Sequence, residues 1–331
     1  MEEKEKNQFD LNEIIKDIES IEKDNNFCKK IQIFLIRIKK KKNEIYKQES
    51  SDKSKKLLFK SLKYELNQPS FKNREIVDYD IVMKKKNMHE LVKISDFDNI
   101  GEELKKFDDG DEFMTSTRSL IEKDFDIYMV SITTKSNNYK IFGSFSGIFK
   151  LQKKYLFGLV PKGNFSDSKI NFSDSDNIVG FNRKIDLLVV NNQFLLINQA
   201  QSKFDNLFQM NDYFSGEAIK RLNNIKKLKT LLTDSNSKQL AKKMKERKTM
   251  ARKFIKITND RNRFYETINR IGEYINNGED DFLRIKIPDV TYKNHKLIAV
   301  EGKESELLDA LADFSYTANV SHVQSKDESR T

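Results

Sequence analysis

Residues capable of catalysis are few and widely spaced in this chain of 331 residues. The single cysteine, Cys28, excludes an internal disulfide and a cysteine-based zinc site. The three histidines, His89, His295 and His322, are far apart in sequence and offer little material for a metal cluster or a catalytic triad. No phosphate-binding glycine-rich loop, nucleophile elbow or metal-binding helix motif occurs. Any catalysis would therefore depend on carboxylates, amides and lysines, and we expect neither a cofactor nor a bound metal.

The strongest functional signal is a concentration of positive charge. Residues 220–263 contain 16 basic and three acidic residues, so this stretch carries +13 while the whole chain carries +10. The abundance of Lys, Asn, Ile and Phe is typical of an AT-rich genome, which raises the lysine content everywhere. A genomic bias explains abundance but not concentration, so the local excess indicates a function.

These cations recur at helical spacing. Lys238, Lys242, Lys245, Arg252 and Lys256 follow one another at intervals of three, four or seven, which predicts a basic stripe opposite the apolar face of a helix. Like charges at that spacing oppose each other by a few tenths of a kcal/mol per pair, so the pattern favours an anionic partner. The predicted DNA-binding residues are Lys226, Lys227, Lys229, Lys238, Lys242, Lys243, Lys245, Arg247, Lys248, Arg252, Lys253 and Lys256.

The composition of this segment favours binding to the phosphate backbone of double-stranded DNA with little sequence preference. It is rich in lysine, and no helix-turn-helix, zinc-finger or RNA-recognition signature is present. Three alternatives remain open: a solvated basic helix, a helix neutralised by an acidic patch of another subunit, and a surface that lies on anionic lipid headgroups. The low outward aromatic content argues against insertion into a membrane interface.

One carboxylate has a setting that suggests metal-dependent chemistry. Two apolar runs, residues 185–190 and 194–197, flank Asn191 and Asn192 and predict a tight β-hairpin, with Asp186 on its first strand. Restriction-type nucleases hold Mg²⁺ with such an aspartate and a Glu-x-Lys pair on the adjacent strand, but here residues 198–201 read Asn-Gln-Ala-Gln. Amides do not supply the negative charge that Mg²⁺ requires, so a nuclease is only the alternative interpretation.

Asp186 is instead predicted to be structural. A carboxylate beside an apolar strand needs a partner, because burying a lone charge costs several kcal/mol. Lys184 lies on the same strand face and is the predicted partner, with backbone N–H groups near residues 198–204 as the alternative. In either case Asp186 would fix the hairpin against the helix that follows it.

The elements around these residues predict an α+β fold. It has a central, mostly antiparallel sheet with an N-terminal helix, followed by a basic helical segment and a small C-terminal β-α-β element. We predict a sheet-based domain over residues 1–200 and a basic helical domain over residues 201–331. The predicted helices of the sheet domain cover 9–22, the segment that ends near 67, and 100–107; the predicted strands cover 31–38, 75–83, 126–132, 139–149, 154–160 and the hairpin; and the predicted loops cover 48–56 and 164–177.

Helical periodicity then extends over the basic segment and beyond it. One long helix is predicted over residues 207–232, a second from 237 to about 255 and a third from 261 to 278. A strand over 282–287 precedes the C-terminal element, which comprises a strand at 295–300, a helix at 304–314 and a strand at 318–324.

The hairpin and its flanks resemble a known family. Phe181, Lys184, Ile185, Asp186, Asn198, Phe204, Asp205 and Phe208 carry the resemblance. They are similar to the KwaB proteins, the soluble components of the Kiwa anti-phage defence systems of bacteria. The resemblance implies a homodimer that acts on phage DNA with a membrane-embedded partner resembling KwaA. Because no apolar run approaches the roughly 18 residues that span a bilayer, we expect a cytoplasmic protein, held at the inner face of the membrane through that partner.

Overall fold

The computed structural model describes residues 9–40, 42–108, 125–149, 163–164, 169–172, 178–276, 290–294 and 296–312. Its contacts divide the chain into two compact units. The sheet unit comprises Met1–Tyr79 and Lys85–Gln209, and the helical unit comprises Asp80–Lys84 and Met210–Thr331. The sheet unit thus extends somewhat beyond the predicted boundary at residue 200, and a short piece of its sequence belongs to the helical unit.

The two units differ in their elements. In chain order the sheet unit contains α1 (Leu11–Ser20), β1 (Ile31–Arg37), β2 (Glu44–Ser50), α2 (Asp52–Leu66), α3 (Pro69–Lys72), β3 (Ile76–Asp78), β4 (His89–Lys93), α4 (Asp98–Lys105), β5 (Ile127–Thr133), β6 (Asn138–Phe149), β7 (Gly163–Asn164), β8 (Lys169–Phe172), β9 (Ile178–Val190), β10 (Phe194–Ile197) and α5 (Gln201–Leu207). The helical unit contains α6 (Met210–Asn224), α7 (Lys226–Leu231), α8 (Asp234–Glu246), α9 (Lys248–Asn259), α10 (Arg261–Asn276), β11 (Val290–Lys293), β12 (Lys296–Ala299) and α11 (Ser305–Ala312).

The sheet confirms the predicted α+β fold. Its strand order is β3-β4-β10-β9-β6-β5-β1-β2-β8-β7. All neighbouring strands are antiparallel except the β3–β4 and β2–β8 pairs, which are parallel. Consecutive residues of the central strands, such as those of β5, are buried on both faces of the sheet, as the nearly continuous apolar runs of the sequence predict.

The predicted N-terminal helix is confirmed as α1. Asp10 caps it, because its carboxylate accepts hydrogen bonds from the backbone N–H groups of Asn12 at 2.7 Å and Glu13 at 3.3 Å. Ile14, Ile15 and Ile18 are buried on one face of the helix and join the core on that side of the sheet. The periodicity of the sequence therefore defines both the helix and its buried face.

The predicted hairpin is also confirmed. Strands β9 and β10 pair antiparallel, with Phe194 opposite Val190. Three residues, 191–193, connect the strands, and the Gln193 N–H donates to the Val190 carbonyl oxygen at 2.9 Å. Asn191 and Asn192, the central residues of this β-turn, adopt φ values of 52° and 53°, the left-handed region that such a turn requires and that asparagine tolerates.

Two predicted loops are wrong. Strand β2 runs to Ser50 and α2 begins immediately afterwards, capped by Ser51, whose hydroxyl accepts from the N–H of Ser54 at 3.2 Å. Polar residues in β2 obscured the strand, because one of its faces is only partly covered. The described parts of residues 164–177 contribute to strands β7 and β8. The predicted strands over 154–160, 282–287 and 318–324 lie outside the described residues.

The predicted helices of the basic segment are more interrupted than expected. The long helix over residues 207–232 is divided at Gln209, whose φ is 50°, and at Ile225, which is extended. The second helix is divided at Arg247, which is extended between α8 and α9. None of these positions is glycine or proline, so no breaker residue marks them in the sequence. In the C-terminal element β11 and β12 form an antiparallel hairpin before α11, and the predicted last strand is outside the described residues.

Asp17 joins α1 to the β5–β6 turn. Its Oδ2 accepts hydrogen bonds from Thr134 Oγ1 at 2.8 Å, Asn137 Nδ2 at 2.8 Å and Tyr139 Oη at 2.7 Å. Burial raises the pKa of the Asp17 carboxyl, but these three hydrogen bonds outweigh it and hold the pKa below its usual value. The ionised carboxylate therefore stabilises the fold above its unfolded-state pKa of about 3.9, and this stabilisation is lost as the pH falls through the lower folded-state pKa.

We expect Asp17→Asn to lower the free energy of unfolding by about 1–3 kcal/mol at pH 7, because charge-assisted hydrogen bonds become neutral ones. Urea unfolding at a series of pH values measures this difference, which should narrow below about pH 4 as the wild-type carboxyl is protonated. Glu13→Gln, on the exposed side of the same helix, is the control and should change little. A difference for Asp17→Asn that stays constant down to pH 3 would contradict the assignment.

Candidate nucleic-acid interface

Helix α8 carries the clearest cationic surface. Thr233 caps it, with its hydroxyl accepting from the N–H of Asn236 at 3.1 Å. Lys238, Lys242 and Lys245 are exposed on one face, which we call the α8 stripe. Their spacing of four and three residues places them within about 10 Å along the helix axis. The opposite face, which includes Leu240 and Met244, is buried.

The positive charge continues past the end of α8. Arg247 is extended between the two helices, and Lys248 begins α9; both side chains are exposed. Lys226 and Lys229 on α7 are exposed as well. Residue Lys227 belongs to the same helix, but its side chain is outside the described part of the structure.

We define the basic surface as the α8 stripe together with Lys226, Lys229, Arg247 and Lys248. Within the described part of the chain, these side chains make no ion pair with a carboxylate. Asp234 and Glu246 lie four residues from Lys238 and Lys242 on α8 and relieve part of this repulsion. Water, dissolved ions or a bound polyanion relieve the rest. The basic surface is thus chemically suited to bind phosphate groups.

Arg252 is buried, contrary to the prediction that it lies on the DNA-binding surface. Only 8% of this residue is exposed, and its guanidinium lies over the ring of Phe214 at 4.7 Å. Nη1 donates to the carbonyl oxygen of Ile81 at 3.2 Å, and Nη2 donates to Asn211 Oδ1 at 3.4 Å. Periodicity placed Arg252 on the outer face of α9, but the segment Asp80–Lys84 covers that position. Its role is to hold the helical unit together.

Three further predicted cations are either half-buried or paired with a carboxylate. Lys243 is half-buried and makes an ion pair with Glu304 at 2.5 Å and a hydrogen bond to the Gly302 carbonyl oxygen at 2.5 Å. Lys256 makes an ion pair with Asp80 at 2.9 Å. Lys253 is half-buried. These lysines are therefore excluded from the basic surface.

Sequence reasoning placed Lys84 in the sheet-based domain, although it belongs to the helical unit. Lys84 is exposed and ends the segment Asp80–Lys84, which contacts α9 although it lies far from α9 in the sequence. Three consecutive lysines at residues 84–86 are evident in the sequence, but no sequence pattern links them to the basic helices.

Asp186 is buried and paired with a basic side chain, but its partner differs from the predicted one. It is 3% exposed, and its Oδ2 accepts from Lys203 Nζ at 2.7 Å and from Ser144 Oγ at 2.9 Å. Lys203 lies on α5, the helix after the hairpin, and also contacts Ser144 Oγ closely. Lys184 is exposed, so the prediction that it pairs with Asp186 is wrong.

A β-bulge accounts for the orientation of Asp186. Gly143 of β6 pairs with Ile185 while Phe142 pairs with Leu187, so β9 has one additional residue at this position. Simple alternation along the strand, on which the choice of Lys184 rested, fails at a bulge.

The other signature residues also have packing roles. Asn198 donates from Nδ2 to the Ile185 carbonyl oxygen at 2.6 Å and accepts a close hydrogen bond from Arg74. Phe181 packs edge-on against Tyr128, with ring centroids 4.9 Å apart. Phe204 is fully buried against Phe208, Lys184 is exposed, and Asp205 is half-buried.

The surroundings of Asp186 do not provide a set of metal ligands. Among the described residues, no group of three or more His, Cys, Asp or Glu side chains could hold a metal ion. The Asp186 carboxylate instead makes an ion pair with the Lys203 ammonium at 2.7 Å.

The sheet unit contains an open cavity of about 610 Å³ between α4 and the β9–β10 hairpin. Its charged lining residues are Lys93, Lys105, Asp98 and Glu102, so the lysines are matched by carboxylates. Because these charges cancel, the cavity has no net attraction for a polyanion. The helical unit is therefore the better candidate for binding nucleic acid.

Comparisons with protein-family models, curated proteins and solved structures find no match for this chain. In the described part of the chain, no helix is long and apolar enough to cross a bilayer.

Proposed function

We propose that this protein binds the phosphate backbone of double-stranded DNA through the basic surface, without catalysing a reaction. The observation that carries the proposal is the α8 stripe, whose three exposed lysines share one face and have no carboxylate partner among the described residues. About 10 Å of duplex axis carries about six phosphate charges, which matches the length of the stripe.

The chemistry of the side chains favours backbone contacts over base reading. Lysine is a flexible point charge, whereas base recognition in the major groove relies on the planar, bidentate groups of Arg, Asn and Gln. The exposed positions of α8 other than the stripe are Asp234, Ser235 and Glu246. Carboxylates at both ends of the helix would be repelled by a closely apposed duplex, so the lysines in between are the favoured contacts.

The cellular role in the proposal depends on the resemblance to KwaB. On that ground the protein is a cytoplasmic, homodimeric component of an anti-phage defence complex, acts on phage DNA and works with a membrane-embedded partner resembling KwaA. The residues that carry the resemblance, including Asp186, Asn198 and Phe204, lie in and directly after the hairpin. The chemistry of the basic surface supports the DNA part of the role independently.

The salt dependence of DNA binding tests the proposal. If about six phosphates are neutralised, the affinity for a duplex should fall roughly a thousandfold between about 50 and 200 mM salt, with a log–log slope near −5. Fluorescence anisotropy with several duplexes of equal length and unrelated sequence measures both quantities. Similar affinities are expected throughout. A shallow slope, or strong preference for one sequence, would contradict backbone binding.

No observation favours the nuclease alternative. Residues 198–201 read Asn-Gln-Ala-Gln where a restriction-type site requires a Glu-x-Lys pair, and the Asp186 carboxylate accepts hydrogen bonds from Lys203 and Ser144. We therefore retain it only as a possible outcome of the experiments below.

A further inference from the structure

The segment Asp80–Lys84 belongs to the helical unit although it interrupts the sequence of the sheet unit. It lies against α9, where the Ile81 carbonyl oxygen accepts the hydrogen bond from Arg252. At the start of the segment, the Asp80 carboxylate makes the ion pair with Lys256. The segment thus engages two of the cations that the sequence assigned to DNA binding.

The position of the Asp80 carboxylate is fixed by its own backbone. Oδ1 accepts from the N–H groups of Val82 at 2.8 Å and Met83 at 3.0 Å, while Oδ2 faces Lys256 at 2.9 Å. Burial raises the pKa of Asp80, but the contact with Lys256 and the two backbone N–H groups lower it further, so the carboxylate is ionised at neutral pH. Because the backbone N–H groups already fix the carboxylate, little side-chain entropy is lost when Asp80 pairs with Lys256 on α9.

Lys256 would otherwise extend the basic surface. It follows Lys248 by eight residues, which places the two side chains on the same broad face of α9, about 12 Å apart along its axis. Lys256 is partly exposed, with 43% of its side chain accessible, so its ammonium is within reach of an anion in solution. The Asp80 carboxylate is the group that neutralises it.

We propose that Asp80 masks Lys256 and thereby limits the number of phosphates that the basic surface neutralises. The inference rests on the proposed DNA binding and specifies how the affinity of that surface is set. Since each neutralised phosphate steepens the salt dependence, an internal carboxylate that occupies one cation keeps binding weaker and less salt-sensitive than the sequence charge predicts.

Measuring the salt dependence of duplex binding for a mutant cycle tests this proposal. Asp80→Asn retains the acceptor for Val82 and Met83 but removes the charge. We expect its log–log slope to be steeper than that of the wild type by about 0.9, with about fivefold tighter binding at about 150 mM salt. Lys256→Gln alone should leave the slope unchanged, and the double variant should return to the wild-type slope.

Lys242→Gln serves as the reference for losing a real contact, and should flatten the slope by about 0.9. Thermal melts establish that each variant is folded, and Asp80→Ser is the second charge-removing variant should Asp80→Asn fail to fold. A slope for the charge-removing variant equal to that of the wild type overturns the masking proposal. The proposal is also overturned if the double variant keeps the steeper slope, or if the slope of Lys256→Gln is as flat as that of Lys242→Gln.

These results differ from failure of the proposed function. If neither the wild type nor any variant binds duplex DNA, the proposed function is wrong and the masking proposal falls with it. If the wild type binds and Lys242→Gln weakens binding, the proposed function stands whatever the Asp80 variants show.

Discussion

Replacing Lys238, Lys242 and Lys245 together by glutamine is expected to weaken binding to double-stranded DNA by roughly two to three orders of magnitude at about 100 mM salt. Losing three phosphate contacts should also flatten the log–log salt slope by about 2.7. The variant should fold normally, because glutamine is a good helix former and the substitution relieves repulsion between neighbouring lysines. Fluorescence anisotropy over a salt series measures both changes.

The sheet unit offers a matched control. Lys53, Lys56 and Lys60 lie on α2, are exposed and have nearly the same helical spacing as the stripe. Replacing these three by glutamine removes the same net charge, so a general electrostatic effect would weaken binding equally in both variants. We expect the α2 variant to bind almost as the wild type does. Equal losses in the two variants would show that net charge, not the α8 stripe, governs binding.

The second large effect is expected in stability. Asp186→Ala removes the partner of Lys203 and leaves its ammonium beside an apolar strand. Breaking a well-buried ion pair costs about 3–5 kcal/mol. Because Lys203 is partly exposed, we expect about 2–3 kcal/mol, seen as a fall of several degrees in the melting temperature. Lys203→Ala should destabilise the fold as well, whereas Lys184→Ala should not, because Lys184 is exposed.

DNA binding distinguishes this structural role from a catalytic one. Any loss of binding in Asp186→Ala should follow the loss of folded protein, and plasmid DNA incubated with the wild type and Mg²⁺ or Mn²⁺ should remain uncut. Metal-dependent cleavage that Asp186→Ala abolishes would favour the nuclease alternative. A variant that melts as the wild type does but no longer binds DNA would place Asp186 in a functional site.

Local patterns were sufficient for the elements that depend on local physics. The α1 helix follows from apolar spacing and an aspartate cap, and the hairpin follows from two apolar runs around Asn191 and Asn192, which tolerate positive φ. The mostly antiparallel sheet follows from several such strands in succession. For the helix and the hairpin, a single short stretch of sequence contains the interactions that decide the outcome, whereas the order of the strands, with β1 beside β5 and β4 beside β10, joins distant segments.

Patterns were insufficient where distant segments meet. Arg252 has the same spacing as the lysines of the stripe, yet residues near position 80 cover it, and no feature of α9 itself indicates this. The partner of Asp186 was misassigned for a related reason, because the bulge depends on pairing with β6 and Lys203 lies beyond the hairpin. The helix breaks at Gln209, Ile225 and Arg247 have no glycine or proline and depend on packing.

The most direct test of the central claim is to map which lysines a bound duplex protects. Acylation of lysine side chains, quantified by mass spectrometry with and without saturating double-stranded DNA, compares all of them in one experiment. The proposed interface predicts strong protection of the α8 stripe and of Lys248, and unchanged reactivity of Lys53, Lys56 and Lys60. Unchanged reactivity of the stripe in the presence of bound DNA, with protection elsewhere, would contradict it.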